Sequence, residues 1–191
     1  MEDILSQRLE AVKRKNEAAF IEFQAAFTSG TAKKGAVLVA TGVVCDQLYV
    51  LQKGIVKQYR YKEDGTEHIT WFNFENDLVT AYTSFVTQTS SKEEVKVIED
   101  CEYIQISRER CYHLAEKYHA VETFFREMLE IYFIQLDERL FFLQAFSAKQ
   151  KYQYILQHMP HFIQRLPQKE LSSFLGITRE TLSRIRKQTI L

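Results

Sequence analysis

The segment from Pro167 to Lys187, PQKELSSFLGITRETLSRIRK, restricts the fold of this chain more than any other. Helical patterns lie on both sides of Gly176, and glycine readily adopts the left-handed conformation that ends one helix and lets another begin at a steep angle. Seven residues have the spacing that two helices packed across such a turn require. They are Leu171, Ser172, Leu175, Gly176, Ile177, Leu182 and Ile185. The pattern predicts a helix-turn-helix.

The second helix of this motif leaves a polar outward surface. Its members are Thr178, Arg179, Glu180, Ser183, Arg184 and Lys187. By geometry, Arg179 and Arg184 could each donate two hydrogen bonds to guanine, and Glu180 could accept one from cytosine. The hydroxyls and the lysine could contact backbone oxygens. The motif therefore predicts double-stranded DNA as a partner.

The charge distribution agrees with a nucleic-acid partner, although the formal net charge of the chain is zero. Residues 147–191 contain eight lysines and arginines but only two acidic residues, Glu170 and Glu180, whereas residues 1–146 have an acidic excess. A basic segment that also carries a helix-turn-helix is typical of contact with a polyanion.

The N-terminal half predicts one helix followed by strands. Residues 4–27 carry apolar side chains at helical spacing, which predicts a single amphipathic helix. Between Lys34 and Ser107, short β-rich runs alternate with glycines, and Asp64-Gly65 supplies a hairpin turn. The predicted strands are 37–39, 48–51, 55–61, 68–72, 95–98 and 103–106. Short strands at near-regular spacing predict a jelly-roll β-barrel, so the fold class is α+β.

A long helix is predicted over residues 109–146. Neither glycine nor proline occurs between Ser107 and Pro160, and apolar residues recur at steps of three or four. Further apolar residues such as Phe133 and Phe141 lie off this stripe, so the helix exposes more apolar surface than its own domain could cover. A homodimer is the simplest explanation, and packing of both faces within one chain is the alternative. Ser147 can cap a short helix that Pro160 ends.

The sequence contains no motif for a metal, a cofactor or a catalytic centre. Cys45, Cys101 and Cys111 form no CxxC pair and are expected to be reduced, mostly buried thiols. The histidines include no HExxH, and we find no nucleophile-base pair or phosphate loop, so no enzyme is expected. No apolar run approaches the roughly 18 residues of a membrane span. The acidic N-terminus lacks the basic start of a secretory leader, so no such leader is expected. A cytoplasmic protein without membrane contact is expected.

These segments together resemble the CRP/FNR family of bacterial transcription regulators. The resemblance rests on GITRETLSRIRK, on DQLYVLQKG at residues 46–54, on the strand 55–61 and on EDCE at residues 99–102. It implies that Arg179, Glu180 and Arg184 occupy base-reading positions, and it leaves open a contact with RNA polymerase. The three parts that it implies are a cyclic-nucleotide-binding-like β-roll with an N-terminal helix (1–108), a dimerisation helix (109–146) and a helix-turn-helix DNA-binding domain (147–191).

The effector pocket departs from the pattern of the family that this chain resembles. Relatives that bind cyclic nucleotide use a Gly-Glu pair and later an arginine followed by a small residue; ungapped alignment places Thr80-Ala81 and Ser91-Lys92 there. The sugar would lose its carboxylate partner and the cyclic phosphate its bidentate partner, so no response to cyclic AMP is expected. A different small anion could use Tyr82, Thr83, Ser91 and Lys92, which could equally be ordinary strand and loop residues.

A second departure concerns the end of the sequence, four residues after Lys187, where relatives add a β-hairpin wing. The wing is expected to be absent, which makes dimeric binding to paired half-sites more necessary. The competing hypothesis is a small-ligand receptor or protein-interaction module whose degenerate helix-turn-helix binds no specific DNA.

Overall fold

The computed structural model describes residues 4–189. The chain forms two compact units, one up to Glu130 and the other from Ile131 onward. The functional division into 1–108, 109–146 and 147–191 stays a prediction. Within the described residues, no helix is both long enough and apolar enough to cross a membrane.

An antiparallel sheet forms the body of the first unit. Its strands are β1 (Thr28–Ala32), β2 (Val37–Val39), β3 (Gln47–Tyr61), β4 (Glu67–Asn73), β5 (Leu78–Val79) and β6 (Glu94–Ser107). The strand order is β1-β6-β3-β4, while β2 also pairs with β6 and β5 with β3. The predicted α+β class with a jelly-roll of the cyclic-nucleotide-binding type is confirmed.

Two of these strands are longer than predicted. The runs 48–51 and 55–61 join into β3, and the runs 95–98 and 103–106 join into β6. The register between β3 and β6 shifts on both sides of Lys53 and again beyond Ile55. Gly54, in this stretch, has φ +92. A local irregularity of the bulge type therefore replaces the break that the glycine suggested.

The single helix predicted over residues 4–27 is wrong, because two helices form, α1 (Ile4–Lys15) and α2 (Glu17–Ala25). Asn16 separates them with an extended backbone, and its side chain accepts a hydrogen bond of 2.9 Å from the backbone N–H of Ala19. This bond caps α2, so the chain restarts its helix at a residue well suited to that position.

The long helix predicted over residues 109–146 forms from His119 to Ala145, but the prediction of a single helix over the whole range is wrong. After the short α3 (Tyr82–Thr87), two helices form, α4 (Arg108–Lys117) and α5 (His119–Ala145). Tyr118, between them, is extended, and its hydroxyl donates a 2.8 Å hydrogen bond to Glu22 of α2. A tertiary contact thus accompanies a break that local helix propensity did not signal.

The core of the first unit lies between the sheet and its helices. Phe23 of α2 packs edge to face on Phe124 and Phe125 of α5, with ring centroids 5.4 and 5.7 Å apart. All three cysteines are buried and free, as predicted. Burial raises the pKa of Cys101 to about 11 and that of Cys111 to about 12, so both thiols are protonated at neutral pH.

The second unit is helical. After the last part of α5 come α6 (Ala148–His158), α7 (Pro160–Arg165), α8 (Gln168–Leu175) and α9 (Arg179–Thr189). Ser147 caps α6 in a capping box with Gln150, and α6 ends just before Pro160, both as expected.

Candidate nucleic-acid interface

Gly176 makes the turn between α8 and α9, as the sequence predicted. Its φ is +66 and its ψ is 33, the left-handed conformation that glycine adopts without a steric penalty. The N–H of Gly176 bonds to the oxygen of Ser173, and the N–H of Ile177 to that of Ser172, each at 3.1 Å. This pair of bonds is a Schellman motif, which satisfies carbonyls at the end of α8 and fixes where α9 begins.

The inner faces of both helices are buried. Among the residues that the packing pattern singled out, Leu171, Ser172 and Leu175 of α8 and Leu182 and Ile185 of α9 are all buried. Burial of these side chains holds the two helices together and leaves the opposite side of α9 facing solvent.

The outward surface of α9 carries the predicted polar residues. Arg179, Glu180, Arg184 and Lys187 are exposed, and Ser183 is half-buried. With Gln168 and Gln188 they line a depression of about 580 Å³. The structure therefore brings five of the six predicted residues together on one surface, here called the α9 surface.

The sixth residue, Thr178, is exposed but its hydroxyl is occupied. Its Oγ1 accepts a 3.1 Å hydrogen bond from the backbone N–H of Thr181, which caps α9, and it lies 3.1 Å from the Thr181 hydroxyl. The pKa of Glu180 is lowered by hydrogen bonds from its own backbone N–H and from Thr178, and by the charge of Arg179. Glu180 is therefore ionised at neutral pH and can accept a hydrogen bond.

Sequence reasoning missed two residues of the α9 surface, Gln168 and Gln188. Gln168 is the first residue of α8, on the other helix of the motif. Pro167 before it makes no side-chain cap. A signal for Gln168 existed, since the start of the first helix is a known source of backbone N–H groups for anions.

Comparison with known proteins agrees with this architecture. Residues 30–118 match the cyclic nucleotide-binding domain family. No curated protein matches the chain. FixK2 from Bradyrhizobium japonicum is 17% identical, with 85% of this chain and 83% of that chain covered and a TM-score of 0.71. CLP from Xanthomonas campestris, a c-di-GMP responsive global regulator, is 16% identical, with 91% of both chains covered and a TM-score of 0.63.

A third solved structure carries the family name. It is a transcriptional regulator from Eubacterium rectale assigned to the crp/fnr family, 16% identical, with 91% of this chain and 82% of that chain covered and a TM-score of 0.68. The chain has the CRP/FNR fold. The resemblance that the sequence motifs indicated is thus confirmed at the level of the fold.

The predicted effector residues of this chain lie on α3 and in the loop before β6. Tyr82 and Thr83 begin α3 and are exposed, as is Lys92. Ser91 is buried, but its Oγ donates a 2.6 Å hydrogen bond to the oxygen of Glu93 and accepts a 3.1 Å bond from its N–H. The hydroxyl of Ser91 is therefore already hydrogen-bonded within its own turn. An anion site at these four residues stays a prediction.

The residues present do not fit a cyclic nucleotide in the way that the CRP/FNR resemblance implies. Where the ungapped alignment places the Gly-Glu pair, Thr80 Oγ1 donates a 2.9 Å hydrogen bond to the oxygen of Gln47, and the buried Ala81 offers no carboxylate. The alignment assigns the arginine position to Ser91, which offers no guanidinium. A buried sugar hydroxyl and a cyclic phosphate would both lack their partners, which is costly in a closed site.

Polar side chains that sequence reasoning missed lie buried within the sheet of the CRP/FNR fold. The Gln58 side-chain amide donates a 2.9 Å hydrogen bond to Asn73 Oδ1, and Asn73 Nδ2 donates one of 3.3 Å to the oxygen of Leu78. Gln58 and Asn73 are both buried. Polar residues within apolar strand runs were a signal, but sequence spacing does not reveal that these two meet across neighbouring strands.

A second buried polar group surrounds Lys57. The ammonium of Lys57 forms an ion pair with Glu67 and lies 4.7 Å from the centroid of the Tyr59 ring. The Tyr59 hydroxyl donates to Glu94, and burial together with this bond raises the pKa of Tyr59. The charge and the hydroxyl are paired with neighbouring side chains, so these buried polar groups have partners within the sheet region.

No cluster of three or more His, Cys, Asp or Glu side chains within residues 4–189 could hold a metal ion.

Proposed function

We propose that this chain is a homodimeric transcription regulator of the CRP/FNR type that reads double-stranded DNA through the segment from Thr178 to Lys187 and does not respond to cyclic AMP. The observation that carries the proposal is the α9 surface, where basic and hydrogen-bonding side chains face solvent on a helix whose opposite side is packed against α8. The CRP/FNR fold supports the same reading.

The chemistry of the α9 surface suits a major groove. The guanidinium groups of Arg179 and Arg184 can each donate two hydrogen bonds to the O6 and N7 atoms of guanine. The ionised Glu180 can accept from the amino group of cytosine. Lys187 and Ser183 can contact phosphate oxygens, which position the protein without reading sequence.

An exposed apolar face on α5 supports the proposed dimer. Phe133, Leu136, Leu140 and Leu143 follow one another at alternating steps of three and four residues, the heptad spacing of a coiled-coil seam. All four are exposed, Phe133 at 71% and Leu140 at 54%. A row of large apolar side chains open to water is the signature of a surface that another chain covers.

The proposal is tested by selecting duplexes from a random library with the full chain. We expect enrichment of one motif in two inverted copies, with binding at least about a thousandfold tighter than to random sequence. A preference below about tenfold would contradict the proposal and favour a ligand receptor or protein-interaction module. Repeating the selection with cell extract would show whether a small molecule changes the affinity.

Replacing Arg184 with alanine should weaken binding to the selected duplex by about 1–3 kcal/mol and relax the preference at one base pair. Competition titrations with duplexes varied at each position measure both effects. Arg186→Ala is the matched control, because it removes the same charge from the same helix but lies outside the α9 surface. Equal losses for the two variants, with unchanged base preference, would contradict the assignment of Arg184.

Adding cyclic AMP should leave the thermal unfolding midpoint and the DNA affinity of the protein unchanged. A ligand that binds only the folded state at 100 times its Kd stabilises that state by about 2.7 kcal/mol, which a thermal melt detects readily. The expected absence of a shift follows from Ala81 and Ser91, which offer neither a carboxylate nor a guanidinium. A concentration-dependent rise of the midpoint would show that the pocket binds the nucleotide by other contacts.

A further inference from the structure

Arg139 of α5 contacts the first helix of the helix-turn-helix at the residue before its last. Its guanidinium donates a hydrogen bond to the backbone oxygen of Phe174. The guanidinium carbon lies 3.6 Å from the centroid of the Phe174 ring and 5.4 Å from that of Phe142. Arg139 therefore holds Phe174 through both its carbonyl and its ring, and both attachments are attractive for a cation.

The carbonyl that Arg139 binds belongs to the last turn of α8, where helical partners run out. The N–H groups of Gly176 and Ile177 bond to the oxygens of Ser173 and Ser172. Arg139 satisfies the next carbonyl along, that of Phe174. A positive charge is favourable at this end of a helix. Arg139 thus caps α8 immediately before the turn that aims α9.

A neighbouring residue of α5 reaches the same turn. Leu143 stands one helical turn after Arg139, and its Cδ2 lies 4.0 Å from the position that a Cβ on Gly176 would occupy. The helix α5 therefore approaches the turn at two successive positions, at Phe174 through Arg139 and at Gly176 through Leu143.

The charge of Arg139 has no acidic partner among the described residues. Its Nε and Nη1 atoms are buried without a hydrogen-bond partner. Lys151 of α6 is itself only 9% exposed. Burial lowers the pKa of Lys151, and the nearby charge of Arg139 lowers it further. Burial lowers the pKa of Arg139 to about 10, so the guanidinium stays charged at neutral pH. A buried cation without a counter-charge is costly to fold, and stability alone does not account for it.

We infer that Arg139 is a positioning residue that fixes α8, and with it α9, on the helix α5, and so sets the separation at which a dimer reads paired half-sites. The inference rests on the proposed function, because only a dimer formed through α5 would convert this contact into a spacing between two α9 surfaces.

The test uses the full chain with the substitutions Arg139→Met and Arg139→Lys. Arg126→Met is the control, because Arg126 is an exposed arginine of the same helix paired only with Glu130. Binding is measured to duplexes that carry the selected half-site once, or twice with separations changed in steps of one base pair. For the wild type we expect one preferred separation.

The Met variant should lose at least about fivefold of that preference while its affinity for the single half-site changes by less than about twofold. The Lys variant, which keeps a charged donor for the Phe174 carbonyl, should recover part of the preference. Arg126→Met should match the wild type. If Arg139 only stabilised the fold, its replacement would lower the affinity for every duplex alike. That result would contradict the inference.

A second readout needs no DNA. Amide hydrogen exchange of Gly176, Ile177 and Thr178 should be at least about tenfold faster in the Met variant than in the wild type and unchanged in Arg126→Met. An unchanged exchange rate together with an unchanged spacing profile would overturn the inference. If the wild type binds no specific duplex, the proposed function fails, and exchange alone decides whether Arg139 holds the turn. If the Met variant does not fold, a Gln variant takes its place, and wild-type behaviour of the Gln variant in both assays would overturn the inference.

Discussion

Replacing Phe133 with glutamate is expected to give a monomer and to weaken binding to a duplex with two half-sites by about a hundredfold or more. Phe133 is the most exposed residue of the apolar face of α5. A carboxylate within such a seam would have to be buried without a partner in the dimer. A monomer also loses the affinity that two linked subunits gain by binding two half-sites together, which is typically a factor of about 10²–10⁴. Light scattering after size exclusion, together with DNA titrations, measures both losses.

The matched control for this variant is Gln135→Glu. Gln135 is exposed on the same helix, two residues beyond Phe133 and off the heptad positions, and the change adds the same charge. This variant should remain a dimer with wild-type affinity. If Phe133→Glu stays dimeric at the same concentrations, α5 is not the interface. If it is monomeric yet binds paired sites as before, dimerisation does not serve DNA binding.

The helix-turn-helix could be predicted in detail because its determinants are local. Gly176 must be left-handed for the turn, and the apolar residues on either side must point inward, so a short stretch of sequence specifies the whole motif. The same local logic predicted Ser147 as a helix cap and the end of α6 before Pro160. The outward position of Arg179 and Arg184 followed from the residues that had to be buried.

The breaks in the predicted helices depend on contacts that a periodicity cannot show. Tyr118 interrupts the run between α4 and α5 while its hydroxyl binds Glu22, which lies 96 residues away in sequence. No glycine or proline marks the place. Asn16 was a better signal, because asparagine is among the preferred caps, but the apolar spacing continued through it.

The interior of the β-roll was the least predictable part of the chain. The sequence shows that the cyclic-nucleotide residues are replaced, but not that Gln58 and Asn73 hydrogen-bond to each other or that Glu93 engages Ser91. Such pairs depend on strand register, and the register of β3 shifts along its length. A one-residue slip exchanges the two faces of a strand, so composition alone does not tell which polar side chains point inward.

Replacing Gly54 with alanine is expected to lower the free energy of unfolding of the first unit by about 2–5 kcal/mol. A positive φ costs a residue with a Cβ about 1–2 kcal/mol. The new Cβ would also clash with the backbone oxygen of Asp100 and would lie 2.7 Å from Cys101 Sγ. The oxygen belongs to β6, so β3 and β6 would have to separate locally, and overpacking of this kind costs about 1–3 kcal/mol more.

Gly35→Ala isolates the packing contribution, because Gly35 has the same φ of +92 but nothing within 4 Å of its would-be Cβ. It should cost only the backbone strain, about 1–2 kcal/mol. Urea unfolding followed by fluorescence reports on the correct unit, since the single tryptophan, Trp71, lies in β4. If both alanine variants lose the same free energy of unfolding, β6 can move away from the new Cβ without destabilising the unit. The irregularity at Gly54 would then reflect the backbone conformation alone and not the close approach of the two strands.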